Sequence, residues 1–134
     1  MRDSLLAMEL RLEVVQVPVS DVDRAKAFYT EQLGFNEDHD NSFSGKRVVQ
    51  LTPPGSACSI VIGSGLTGMQ PGSVEGLQLV VTDMDSVYAE LAARGVQLTD
   101  VQELGRPGRP GFRFAWFSDP DGNGWVLQEI RPDA

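Results

Sequence analysis

The chain has 134 residues, 41% of them hydrophobic and 22% charged, which is the composition of an ordinary globular domain. Its net charge of −8 at pH 7 argues against a nucleic-acid partner, because phosphate binding needs clustered lysine and arginine. Since no apolar stretch is long enough to span a bilayer and no signal-peptide core is present, we expect a cytoplasmic protein without membrane contact.

The chain begins its regular structure with a strand and a helix. Val14–Val19 is rich in β-branched residues and predicts a strand. Ser20 or Asp21 can cap the helix that follows, by accepting bonds from its free backbone N–H groups. Apolar residues then recur at helical spacing until Gly34. A glycine at this position predicts that the helix ends there, with the glycine in the left-handed backbone conformation.

Three strands are predicted after this helix. Residues 35–37 predict the start of a strand, and the polar stretch 38–45 predicts a loop. Residues 46–52 and 58–62 predict a strand pair across the turn at 53–56, whose prolines and glycine break regular structure.

The second half of the chain repeats this order. Glu13–Asp21 returns as Glu75–Asp83, and each copy leads into an amphipathic helix that ends at a glycine. The repeat predicts one domain, 1–134, with module 1 at about 12–63, a linker at 64–74 and module 2 at about 75–131. The predicted elements of module 2 are a strand at 77–82, a helix from Asp83 to Gly95, a strand at 96–103, a Pro/Gly loop at 105–111, and a strand pair at 112–117 and 124–130 around a type I turn at 119–122.

The chain resembles the vicinal oxygen chelate superfamily, which contains glyoxalase I, bleomycin-resistance proteins and extradiol dioxygenases. The likeness covers about Leu12 to Ile130, and its most specific element is Phe117–Asn123. It implies an α+β fold in which paired β-α-β-β-β modules form a curled mixed sheet around a cavity, with helices on the outer faces. It also implies a homodimer. The other matching segments are Val19–Asp21, Ala27–Tyr29 and Leu33–Phe35.

Strand alternation predicts which side chains face the cavity. Successive residues of a strand point to opposite sides, so uniformly apolar sets are expected to pack on the helices. The predicted helix-facing residues are Val15, Val17, Val19, Leu77, Leu79 and Val81. The predicted cavity-facing residues are Val14, Gln16, Pro18, Gly76, Gln78 and Val80.

The resemblance implies metal-ligand positions that hold no ligand here. Metal-dependent members place histidines at positions that correspond to Val14 and Gly76, and a carboxylate at the position of Val126. The first-half counterpart of Val126 is expected near Ser59 or Ile60. Because aliphatic side chains offer no lone pairs, we expect no metal and no cofactor.

Amides and aromatics are the candidate ligand-binding groups. Gln16 and Gln78 occupy equivalent repeat positions, and Gln128 shares strand parity with Val126. Amides that converge on a pocket can orient a polar ligand without charge, although such residues can also satisfy backbone groups or face solvent. Gln50 is expected on a third strand, where its second-half equivalent is Trp116.

Trp116 shares a strand face with Phe112 and Phe114, and this aromatic set can stack on a planar ligand or pack as core. Trp125 has the opposite parity and is expected in the core.

Three other features, which are His39, Cys58 and an arginine-flanked loop, have both a chemical and a purely structural interpretation. His39 can act as a base or metal ligand, but we expect it in a solvated loop. Cys58 has no neighbouring His or Lys and is expected to be a buried structural thiol. Arg106, Arg109 and Arg113 flank a loop that can close over the cavity and pair with an anion, or simply lie in solvent.

The leading functional hypothesis is a metal-independent small-molecule binding protein of the glyoxalase/bleomycin-resistance type, which sequesters a drug or metabolite. One alternative is a superfamily enzyme, a lyase, isomerase or dioxygenase, with a relocated or absent metal. Another is a non-catalytic interaction module. The residues predicted to line the ligand pocket are Gln16, Gln78, Gln128, Gln50, Trp116, Phe114, Val14, Gly76 and Val126.

Overall fold

The structure is a computed structural model, and it describes residues 8–105 and 112–130. Each half of the chain supplies one helix and four strands. The first half contains β1 (Val14–Gln16), α1 (Val22–Ala27), a π-helical turn (Phe28–Gln32), β2 (Asn36–Phe43), β3 (Lys46–Thr52) and β4 (Ser59–Ser64). The second half contains β5 (Leu77–Val81), α2 (Met84–Ala93), β6 (Gln102–Leu104), β7 (Phe112–Ser118) and β8 (Gly124–Glu129).

These strands form two separate four-stranded sheets. The first sheet has the order β1-β4-β3-β2 and the second has the order β5-β8-β7-β6. In each sheet the first strand runs parallel to its neighbour and the other pairs are antiparallel. This arrangement confirms the predicted α+β fold of paired β-α-β-β-β modules.

The helices begin where the sequence predicts them. Asp21 accepts a bond from the backbone N–H of Arg24, and Asp83 does the same for Ser86, so each aspartate caps its helix. Within residues 8–105 and 112–130, no helix is long and apolar enough to cross a membrane.

Two predicted segments are wrong over most of their length, and the strand predicted at Val14–Val19 ends at Gln16. Residues 38–45 are not a loop, because β2 continues to Phe43 and only Ser44 and Gly45 form the turn. An edge strand that faces solvent on both sides has no apolar alternation to reveal it. Residues 96–103 are also not one strand, since only Gln102–Leu104 pairs with β7.

Both sheets direct one face toward a shared hydrophobic core. Helix α1 packs against β4, and the adjacent π-helical turn places Phe28 and Tyr29 on the rings of Phe117 and Trp125 in the second sheet. Because the inner faces meet at this core, the outer faces of the two sheets point away from each other. The core-facing residues of the strands and of the segment that follows β1 are Val17, Val19, Val49, Leu51, Ile60, Ile62, Ala115, Phe117, Trp125 and Leu127, with Leu77, Leu79 and Val81 packed against them.

A buried polar network joins the two modules. The Tyr29 hydroxyl donates to Asp119 Oδ2 at 2.7 Å and accepts from Trp125 Nε1 at 2.9 Å. Asn123 is fully buried, and its Nδ2 donates to the Asp119 carboxylate and to the Pro18 carbonyl, both at 2.8 Å. Burial, and then the Asp119 charge, raise the pKa of the Tyr29 phenol far above its usual value.

Asp119 also organises the predicted type I turn. Its carbonyl accepts from the N–H of Gly122 at 3.0 Å, and its Oδ1 accepts from the N–H groups of Asp121 and Asn123. The turn that carries the sequence signature is therefore also the attachment point for Tyr29.

The repeat also preserves an ion pair on the inner side of each sheet. Arg47 contacts Asp23 at 2.7 Å, and Arg113 contacts Asp85 at 2.9 Å. Each arginine also binds a carboxylate of its own sheet, with Arg113 pairing with the buried Glu129 at 2.8 Å. Arg113 is therefore directed to the helix side of its sheet and does not take part in a cavity lid.

Replacement of Tyr29 by phenylalanine should destabilise the fold by about 1–3 kcal/mol, because the buried indole N–H of Trp125 loses its acceptor. Urea unfolding measures this as a lower midpoint with an unchanged slope. The control is Tyr88→Phe, which removes an exposed hydroxyl that donates to the Thr99 carbonyl and should cost less than about 0.5 kcal/mol. Equal losses in the two variants would contradict the network.

The difference in stability between the wild type and Tyr29→Phe should depend on pH. The folded-state pKa of Tyr29 lies above its unfolded value, which is about 10. The stability that its hydroxyl contributes is therefore complete below about pH 10 and is lost as the pH rises further. The difference in stability between wild type and Tyr29→Phe should shrink above pH 10.

Candidate functional site

The outer face of the second sheet brings together most of the predicted pocket residues. The strand register aligns Gln78, Val126 and Trp116 in one row across β5, β8 and β7. The next row contains Gln128 and Phe114. Gln78 Nε2 donates to Gln128 Oε1, so the two amides form a hydrogen-bonded pair on this face.

Aromatic side chains cover the adjoining part of this face. The rings of Phe114 and Trp116 are stacked, with centroids 6.0 Å apart and planes inclined by 25°. Large apolar side chains around them are exposed to solvent, with Val80 at 57%, Leu104 at 53% and Phe112 at 41%. This aromatic–amide face is therefore an exposed apolar surface with polar groups, a combination typical of recognition sites.

A pocket of about 630 Å³ opens at the end of the aromatic–amide face. Gly76 contributes no side chain there, and its positive φ of 83° is one that glycine adopts without strain. Sequence reasoning had not included Glu75, Gln97 or Thr99 in the pocket. The lining includes Glu75, Gly76, Gln97, Thr99, Trp116 and Val126.

The remaining predicted residues lie on the other sheet. The row Gln16–Val61–Gln50 crosses β1, β4 and β3 on the outer face of the first sheet. It is the repeat equivalent of the row Gln78–Val126–Trp116, which supports the predicted equivalence of Gln50 and Trp116. Because the two outer faces point in opposite directions, Gln16, Gln50 and the adjacent Val14 are not brought to Gln78 within one chain.

The outer face of the first sheet has a polar centre at Asp38. A β-bulge between Glu37 and His39 interrupts the pairing of β2 with β3 and inserts Asp38 as an extra residue. Its carboxylate accepts from Thr52 Oγ1, from Asn36 Nδ2 at 2.8 Å and from Gln50 Nε2 at 3.0 Å. These donors hold the pKa of Asp38 below its usual value, with Thr52 contributing most.

Sequence reasoning missed this Asp38 cluster. Asp38 lies in the stretch 38–45 that lacks apolar alternation, and a bulge leaves no local sequence signal. The acidic residue among polar neighbours was the only available indication.

The positions that hold metal ligands in metal-dependent relatives do not suit a metal here. The register makes Val61 the equivalent of Val126, slightly beyond the predicted Ser59 or Ile60. Val14, Gly76, Val61 and Val126 offer no side-chain lone pairs. Within the described ranges, no group of three or more His, Cys, Asp or Glu side chains is placed to hold a metal ion.

The other candidate groups are placed as follows. His39 is exposed on β2, and not in the predicted loop. Cys58 is half-buried, and its Sγ donates to the Ser59 carbonyl at 3.6 Å. Arg106 and Arg109 lie outside the described residues.

A second groove lies on the helix side of the second sheet. It has a volume of about 480 Å³. Its lining includes Glu90 of α2 and Arg94 at the C-terminal end of that helix, which form an ion pair. Its apolar walls include Leu33, Phe35, Leu79, Val81, Leu91 and Leu127. None of the predicted pocket residues lies in this groove.

The fold agrees with comparison to known proteins. The family model of the Glyoxalase/Bleomycin resistance protein/Dioxygenase superfamily matches residues 11–127, and the chain belongs to this superfamily. The solved structure of TnmS3, an antibiotic binding protein from Streptomyces sp. CB03234, is 36% identical in sequence. It covers 92% of this chain and 97% of its own, with a TM-score of 0.77.

Two further relatives extend this comparison. A superfamily member from Sphaerobacter thermophilus DSM 20745 is 34% identical, covers 91% of this chain and 98% of its own, and has a TM-score of 0.77. The Uncharacterized protein YetH of Bacillus subtilis (strain 168) is 27% identical over 124 residues, which is 89% of this chain and 98% of that protein.

Proposed function

We propose that this protein binds a planar small molecule, such as an antibiotic with fused rings, and that it does so without a metal. The observation that carries the proposal is the aromatic–amide face, where the Gln78–Gln128 pair lies on the same sheet face as the stacked rings of Phe114 and Trp116. The similarity to an antibiotic binding protein supports the same class of ligand.

The chemistry of this face suits a flat, polar ligand. Aromatic rings offer broad apolar contact and stack on planar systems at little entropic cost. An amide presents both donors and an acceptor, so the glutamine pair can bind a carbonyl or N–H group at the ligand edge. Sequestration requires only such contacts, and no group that performs catalysis.

The absence of metal-ligand chemistry at the family positions supports a metal-independent mode. Val14, Val61, Gly76 and Val126 would surround the ligand with hydrocarbon and backbone, where metal-dependent relatives would have imidazole and carboxylate. We infer that the affinity comes from stacking, burial and amide hydrogen bonds.

We further propose that two copies of the chain complete the site. β1 and β5 are edge strands of their sheets, and an unpaired edge is a template for pairing with another chain. A twofold axis that places β1 of one copy beside β5 of the other would bring the two outer faces together twice. Each resulting cavity would combine Gln16 and Gln50 of one copy with Gln78 and Trp116 of the other.

The ligand test uses a panel of planar polycyclic antibiotics and 2-(hydroxymethyl)acridone, monitored by thermal unfolding and by titration calorimetry. A true ligand at 100 times its dissociation constant should stabilise the protein by about 2.7 kcal/mol. Trp116→Ala should weaken binding by roughly tenfold through lost stacking. Gln78→Ala should weaken it by about three- to tenfold through one lost hydrogen bond.

The matched control for the amide is Gln70→Ala, because Gln70 is exposed in the segment that joins the two modules and is not among the residues that line the pocket. Unchanged affinity in Trp116→Ala and Gln78→Ala would contradict the proposed site. Loss of binding after treatment with a chelator would contradict the metal-independent mode.

Light scattering after size exclusion tests the assembly. We expect a mass of about twice the 14.6 kDa of one chain, because the exposed edges and apolar outer faces favour association. A mass of one chain in the presence of saturating ligand would contradict a cavity built from two copies.

A further inference from the structure

The two outer faces differ in chemistry although the repeat makes them equivalent. The second sheet offers the stacked rings of Phe114 and Trp116, whereas the first sheet carries Gln50 at the position equivalent to Trp116. Beside Gln50 lies the Asp38 carboxylate, which hydrogen bonds to its amide at 3.0 Å. A ligand held between the two faces would therefore meet an aromatic wall on one side and a carboxylate on the other.

The geometry holds the Asp38 carboxylate in a fixed place. The β-bulge at Glu37/His39 directs it onto β3, where Gln50 and Thr52 both donate to Oδ2. Asn36 donates to Oδ1 at 2.8 Å. Thr52 Oγ1 in turn lies 2.5 Å from the hydroxyl of Ser59, which is only 4% exposed and anchors the cluster to β4. Fixed groups lose little conformational freedom when a ligand binds.

The donors to Asp38 are neutral, and this distinguishes it from its neighbour Asp40. Asp40 binds Lys26 at 2.9 Å and Arg47 at 2.8 Å, so two cations compensate its charge. The amides and hydroxyl around Asp38 orient its carboxylate but leave its negative charge uncompensated by them. Such a carboxylate is complementary to a cation.

We propose that Asp38 is a specificity-determining residue that selects ligands with a protonated amine attached to the planar ring system. This inference rests on the proposed function, since it needs the outer face of the first sheet to form part of the ligand site. The ammonium group would donate to the remaining lone pairs of the carboxylate while the rings stack on Trp116 of the other copy. A charge-assisted bond of this kind corresponds to an affinity gain of about tenfold.

Two matched probes test the inference. 2-(Aminomethyl)acridone carries one protonated amine, and 2-(hydroxymethyl)acridone has the same rings and nearly the same size without the charge. The acridone carbonyl and N–H also suit the amide pair. Titration calorimetry of the full-length protein should give about tenfold tighter binding of the amine, and this preference should decrease as salt is added.

Asp38→Asn should abolish the preference for the amine and leave the affinity for the alcohol within about twofold. Asp38→Ser provides a second variant with less bulk, in case the new amide disturbs Thr52 and Gln50. Glu75 is a second carboxylate at the proposed site, because it lines the pocket of the second sheet, and Glu75→Gln tests whether it carries the preference instead. The matched control is Glu31→Gln, because Glu31 is an exposed carboxylate on the π-helical turn, on the helix side of the sheets. Glu31→Gln should keep the preference.

Equal affinity of the wild type for the two probes would overturn the role of Asp38 and leave the proposed binding function intact. If Glu75→Gln loses the preference for the amine and the Asp38 variants keep it, the selectivity belongs to Glu75. That result would also overturn the role of Asp38. Absence of binding by both probes would count against the inference together with the proposed function.

Discussion

The hydrogen bonds of the Tyr29 hydroxyl with Asp119 and Trp125 are the constraint on which the rest of the molecule depends. They link α1 and its π-helical turn to the loop and strand of the second module that carry the superfamily signature. A buried polar group costs free energy unless it is paired, so these bonds favour the relative placement of the two modules that satisfies all three side chains. The aromatic contacts of Phe28 and Tyr29 with Phe117 and Trp125 then fill the space around them.

This placement has a direct consequence for function. With both inner faces committed to one core, the outer faces are left on opposite sides of the chain, and each retains exposed apolar side chains such as Phe43 and Val80. The duplication therefore produces two outer faces of different chemistry, one aromatic and one polar. In the proposed dimer these unlike faces would meet, and a ligand between them would contact two dissimilar walls.

Local patterns predicted much of this fold, and long-range contacts account for what they missed. The caps Asp21 and Asp83, the turn at Asp119 and the strand parity of Trp116 and Trp125 are encoded within a few residues, so each was predicted correctly. The bond between Tyr29 and Asp119 spans 90 residues and has no local signal. Asp38 was missed because β2 carries polar side chains on both faces and because a bulge shifts its register. The separation of Gln16 from Gln78 depends on how the sheets pack, which strand alternation alone does not determine.

The proposed ligand site is the outer face of the second sheet. Backbone NMR chemical-shift mapping tests it most directly, with the protein saturated by a planar ligand and compared with the free protein. We expect the largest shifts at Gln78, Trp116 and Gln128, with smaller changes at Asp38 and Gln50 on the first sheet. Shifts concentrated instead at Leu33, Phe35 and helix α2, around the groove on the helix side, would contradict it.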